Sequence, residues 1–119
     1  MTTIAEFVPQ PATAFYPEGS AVFRENDNSN GRMYVLLEGE IRIERQGKEL
    51  ERIAERGGVF GEIGMIDKLP RSATAKVVQP TRLAIIDDEE FRGLILRNPS
   101  FALEIMRLLT SRARANLPL

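Results

Sequence analysis

The sequence contains no cysteine and no histidine. Without a thiol or an imidazole it has no disulfide, no Cys or His zinc site, and no Ser-His-Asp or Cys-His catalytic group. Most transition-metal sites lose their usual ligands for the same reason, so no metal site is expected. Apolar stretches run for only a few residues, whereas a bilayer-spanning helix needs roughly 20. Residues 1–10 lack a basic start and a long apolar segment, so neither a transmembrane helix nor a signal peptide is expected. Charge of neither sign dominates. Lys plus Arg number 16 and Asp plus Glu 17, for a formal net charge of -1, which leaves no nucleic-acid footprint. The expectation is a cytoplasmic protein with no membrane or nucleic-acid partner.

What remains is an ordinary globular balance, 43% hydrophobic and 28% charged over 119 residues. That length makes one domain, 1–119, large enough to fold around a core without disulfides or metals. Residues 1–13 carry Pro9 and Pro11 and read as an irregular arm, with one helical turn around Ile4 to Val8. Residues 14–86 read as short strands. Met33–Leu37 is an unbroken apolar run that predicts a buried strand. Glu38-Gly39 reads as a tight turn. Glu40–Arg45 alternates, with Ile41 and Ile43 inward and Arg42 and Glu44 outward. Gln46-Gly47-Lys48 predicts a second turn and Glu49–Ile53 another strand. Gly57-Gly58 breaks the pattern before Val59-Phe60. Ser72–Val78 and Thr81–Ile86 predict two further strands, separated by Gln79-Pro80.

Residues 87–117 read as helices. Asp87 is placed to N-cap the first, with Glu90 three residues on. Asn98-Pro99 ends that helix and starts the next, with Asn98 as N-cap and Pro99 at the first helical position. Phe101, Ile105, Leu108 and Leu109 then form an apolar stripe, and Pro118 closes it. Many short strands followed by a helical tail predict a mainly β fold. It is an antiparallel β-roll or jelly roll (a double-stranded β-helix) with a short helix inside it and helices at the C-terminus.

The stretch from Phe60 to Ala75, FGEIGMIDKLPRSATA, carries the chemistry. Gly61 and Gly64 leave the backbone open to close approach. A helical turn beginning near Glu62 directs free N–H groups at one point and suits an anion. Arg71, after Pro70, can fork onto two phosphate oxygens, with Ser72 next in line. Glu62 only accepts, so beside a phosphate it suits a sugar hydroxyl. A ribose phosphate supplies both partners.

This segment resembles the phosphate-binding cassette of the cyclic nucleotide-binding domain family. The resemblance rests on Phe60-Gly61-Glu62-Ile63-Gly64 and Pro70-Arg71-Ser72-Ala73. It extends to the hairpin pattern of Tyr34 to Ile43 and to Asn98-Pro99 with its following helix. Asn26 departs from the glycine many members carry there. The resemblance implies a non-catalytic sensor with no cofactor, whose ligand is a cyclic nucleoside monophosphate. Arg71 would bind the exocyclic phosphate oxygens and Glu62 the ribose 2'-hydroxyl. Gly61, Gly64 and Ser72 would add backbone contacts, with Phe60, Ile63 and Ala73 completing the cassette. Arg112 would pair with Glu62, and Asn116 would contact the base. Ser72 leans the ligand toward cAMP, with cGMP open. With no further segment attached, the expected output is movement of the C-terminal helices acting in trans on a protein effector, and the last helix could form a homodimer. The alternative is an interaction protein on a degenerate roll that no longer binds nucleotide.

Overall fold

The computed structural model describes residues 11–116. The helical turn expected at Ile4 to Val8 and the stop at Pro118 lie outside the described residues. Six strands and three helices follow in the order β1 (Ala12–Tyr16), β2 (Ala21–Phe23), β3 (Arg32–Arg45), β4 (Lys48–Ile53), β5 (Val59–Phe60), α1 (Glu62–Asp67), β6 (Thr74–Asp87), α2 (Asp88–Arg97) and α3 (Pro99–Asn116). Every strand pairing is antiparallel.

Two long strands organise the roll. β3 and β6 pair along their whole length, and each is 14 residues long. The first half of β3 also pairs with β5, and the second half of β6 with β1. The second half of β3 pairs with β4, and the first half of β6 with β2. One continuous ladder therefore serves two layers, joined where both long strands bend. The register shifts there, between Leu36 and Ile41.

This bend corrects two sequence expectations. Glu38-Gly39 is not a chain-reversing turn but a bulge within β3, and Gln79-Pro80 is the matching bend within β6. Gly39 is obligatory at its position. Its φ is +109°, and a Cβ there would lie 2.2 Å from Thr81 Oγ1. Pro80 has no N–H to contribute to a ladder and falls where the register is already broken. The fully buried Thr81 repairs the interruption. Its hydroxyl donates to the Gln79 carbonyl at 2.7 Å and accepts from the Glu40 N–H at 3.2 Å.

The N-terminal expectation is also corrected. Ala12 and Thr13, assigned to the arm, open the strand Ala12–Tyr16, which is in register with Thr81–Ile85. Thr13, Phe15 and Tyr16 are strand formers, but Pro11 and Pro17 bracket the segment, and pairing with β6 completes it. Ser72 and Ala73 precede β6 and do not belong to it.

The helical tail follows its sequence signals. The Asp87 carboxylate accepts from the Glu90 N–H at 2.8 Å, which caps α2. Asn98 ends α2 with its N–H on the Leu94 carbonyl, and its own carbonyl accepts from Phe101 at the start of α3.

The core has two parts, and β3 separates them. Met33 and Val35 face α1, α2 and α3, where they meet Met65, Leu94, Phe101 and Ile105. Tyr34, Leu36 and Ile41 face into the roll, against Phe60, Ala75, Val77 and Leu83. The unbroken run Met33–Leu36 is apolar because this part of the strand is buried on both faces. Each such fully buried side chain contributes about 1.5–3 kcal/mol.

Candidate ligand-binding site

α1 and the loop after it lie across one end of the roll interior. The helix starts at Gly61, whose φ of +80° is left-handed, and ends at Lys68, also left-handed. The room left by the glycines is taken by a side chain of the protein itself. A Cβ on Gly64 would lie 2.9 Å from Arg71 Nη1, and one on Gly61 3.2 Å from the same atom. Arg71 thus packs beneath α1, and these glycines make space for its guanidinium.

Arg71 is 3% exposed. Its Nη1 donates to the Gly61 carbonyl at 2.8 Å. Its Nη2 donates to Asn30 Oδ1 at 2.7 Å and to the Arg32 carbonyl at 2.8 Å. The guanidinium carbon stands 4.3 Å from the centre of the Phe23 ring, a cation–π contact. The backbone is held as well, since Arg71 N–H donates to the Asp27 carbonyl and its carbonyl accepts from Asn26. All three side-chain acceptors are neutral, and among the described residues no carboxylate forms an ion pair with Arg71. Burial pushes its pKa down, against the opposing influence of Tyr34 and Glu62. A guanidinium remains charged regardless, so Arg71 is a buried cation whose direct hydrogen-bond partners are neutral.

Glu62 is 2% exposed and opens α1. Arg112, from α3, meets it: Nη1 is 2.5 Å from Glu62 Oε1. The same guanidinium grips Glu51 on β4 with two bonds of 3.1 Å, and also donates to the Val59 carbonyl. Burial opposes the Arg112 charge, but the bonds to Glu51 and the charges of Glu62 and Glu51 outweigh it, so its pKa is raised. One arginine therefore ties the last helix to β4, β5 and α1.

Between these groups lies a cavity of about 300 Å³, in the range of small-molecule sites. Phe60, Gly61, Glu62, Ile63, Gly64, Arg71, Ser72 and Ala73 all line it, and so does Arg112. Phe23, Ile43 and Leu50 supply an apolar wall, and Leu108, Ser111 and Ala115 of α3 close the side opposite. Asn116 ends α3, and its side chain falls outside the described residues.

Sequence reasoning missed two contributors. Asn30 lies in a polar loop, and nothing in its spelling marks it as the partner of Arg71. Arg45 lines the cavity. It did carry a signal, because strand alternation places it on the same inward face as Ile41 and Ile43.

Comparison with known proteins decides the family. The model of the cyclic nucleotide-binding domain matches residues 13–98. The chain belongs to the cyclic nucleotide-binding domain family. Among curated relatives, this cyclic nucleotide-binding domain is 37% identical over 103 residues to a Rhodopseudomonas palustris protein named for a potassium channel. That match covers 85% of this chain and 25% of the relative. It is 28% identical over 117 residues to the CRP-like cAMP-activated global transcriptional regulator of Mycobacterium tuberculosis, covering 95% of this chain and 52% of the relative. The chain thus spans about half or less of these relatives. Among solved structures, the catabolite activator protein of Thermus thermophilus superposes with a TM-score of 0.80 at 28% identity. That superposition covers 93% of this chain and 52% of the other. The β-roll expected from the sequence is the fold of this neighbour. No helix among the described residues is long and apolar enough to cross a membrane.

Proposed function

We propose that this domain is a non-catalytic sensor of a cyclic nucleoside monophosphate, with cAMP the preferred ligand. The observation that carries the reading is Arg71, a buried guanidinium beside the cavity whose protein partners are all neutral. A buried charge is costly unless it is directly paired, and a phosphate entering the cavity would provide an anion for it. Only three of the five guanidinium N–H groups are engaged, leaving donors for that phosphate. Glu62 opposite would accept from a ribose hydroxyl. Ile43, Leu50 and Leu108 give the base an apolar surface. The name of the M. tuberculosis relative as cAMP-activated supports the choice of cAMP.

The output follows from Arg112. It joins α3 to Glu62, the residue assigned to the sugar, so ligand entry and the position of α3 share one set of contacts. A ligand that binds one position of α3 more tightly shifts the helix toward it, and any effector that prefers that position raises ligand affinity equally. The reading takes the domain to act in trans on a protein effector through α3. The rival reading, a roll that has lost its ligand, would be favoured by the absence of Arg71 or Glu62, and both line the cavity.

Thermal unfolding with and without nucleotide tests the proposal. A ligand at 100 times its Kd stabilises the folded state by about 2.7 kcal/mol, several degrees for a domain of this size. The expected result is a rise with cAMP that Arg71→Ala abolishes. Equal melting with and without cAMP and cGMP would overturn it.

A further inference from the structure

We propose that Arg45 is a second cation of the ligand site, held beside the cassette to add positive charge at the phosphate end of a bound cyclic nucleotide. This rests on the reading of the cavity given above.

β3 enters the roll interior with every second side chain, and Ile41, Ile43 and Arg45 share that face. Ile41 is fully buried, whereas Arg45 reaches the rim and is exposed. Arg42 and Arg52, paired on the opposite face of these strands, each meet carboxylates, with Glu44, Glu49 and Glu40. Arg45 does not: among the described residues no carboxylate forms an ion pair with it. Its Nε–H is instead given to the carbonyl of Ser72 at 2.9 Å.

That contact fixes where the charge sits. Ser72 directly follows Arg71 in the cassette, so the Arg45 guanidinium is anchored on the cassette backbone one residue from Arg71. Its terminal nitrogens keep their donors while Nε is held. Both arginines and Ser72 line the same cavity. The two cations differ in kind. Arg71 is buried and locked by three bonds, while Arg45 is exposed and held by one, so it acts through a screened field and a single adjustable contact. Salt weakens such an exposed cation more than a buried one.

The experiment is a calorimetric titration of the full chain with cAMP at about 0.05, 0.15 and 0.5 M salt, using wild type, Arg45→Ala and Arg45→Lys. The expected result is an affinity about three- to fivefold weaker in Arg45→Ala at the lowest salt. The deficit shrinks as salt rises, and Arg45→Lys restores most of it because it returns the charge. A purely structural role would produce a deficit indifferent to salt. Wild-type affinity in Arg45→Ala, a loss independent of salt, or an equal loss in both variants would overturn the inference. If Arg71→Ala loses cAMP while Arg45→Ala keeps it, only this inference fails. If folded wild type takes up neither cAMP nor cGMP, the reading of the cavity fails and this inference fails with it.

Discussion

Arg112 Nη1 lies 2.5 Å from Glu62 Oε1, across the 50 residues that separate the cassette helix from α3. Glu62 is nearly inaccessible to water, so this contact is its compensation in the folded protein. Removing one partner of such a pair leaves an uncompensated buried charge, which typically costs about 3–5 kcal/mol. Arg112→Ala is therefore expected to destabilise the domain by about 3 kcal/mol or more in urea unfolding. In the double variant with Glu62→Gln, part of that loss should return. Strictly additive losses would mean that the two side chains are not coupled.

Glu62 also distinguishes ligands. Glu62→Gln removes the anionic acceptor assigned to the ribose hydroxyl while keeping the shape. Competition binding should show a larger loss for cAMP than for 2'-deoxy-cAMP, which lacks that hydroxyl. Equal losses for both would detach Glu62 from the sugar.

Arg71→Lys is not a conservative change here. A planar fork reaches the Gly61 carbonyl, Asn30 Oδ1 and the Arg32 carbonyl together, and an ammonium on a flexible stem cannot reproduce that spread. The variant is expected to bind cAMP at least about tenfold more weakly, on the scale of one lost charge-assisted bond. Direct titration checks this, and wild-type affinity would reduce Arg71 to a mere positive charge.

Gly39 tests the account of the bend. A methyl group there meets Thr81 Oγ1 and backbone in a strand with no slack, at a φ that side chains rarely adopt. Gly39→Ala should cost about 2 kcal/mol or more in equilibrium unfolding. An unchanged midpoint would show that the two layers tolerate a different hinge.

Much of this molecule is legible in its spelling. The strand of Met33–Leu37, the cap at Asp87 and the start of α3 at Pro99 follow from apolar runs and capping chemistry, which act over a few residues. The cassette is legible because its residues are close in sequence. The bends at Gly39 and Pro80 are not legible as bends, because a glycine or proline signals only that a strand is interrupted. Whether the chain turns back or merely kinks depends on the strand opposite, and here each bend faces the other. The start of β1 at Ala12 is not legible, because Pro11 reads as part of an irregular arm until the edge of β6 is there to pair with. Arg45 was within reach, since the alternation that turns Ile41 and Ile43 inward also points Arg45 inward. Asn30 was not, because its role exists only once the loop has folded over Arg71.

The central claim is that the cavity beside Arg71 takes a cyclic nucleotide. Calorimetric titration of the folded wild-type domain with cAMP, and separately with cGMP, tests it most directly. The account predicts binding at micromolar Kd or tighter, with cAMP the stronger ligand. No heat with either nucleotide, from protein shown to be folded, would contradict it.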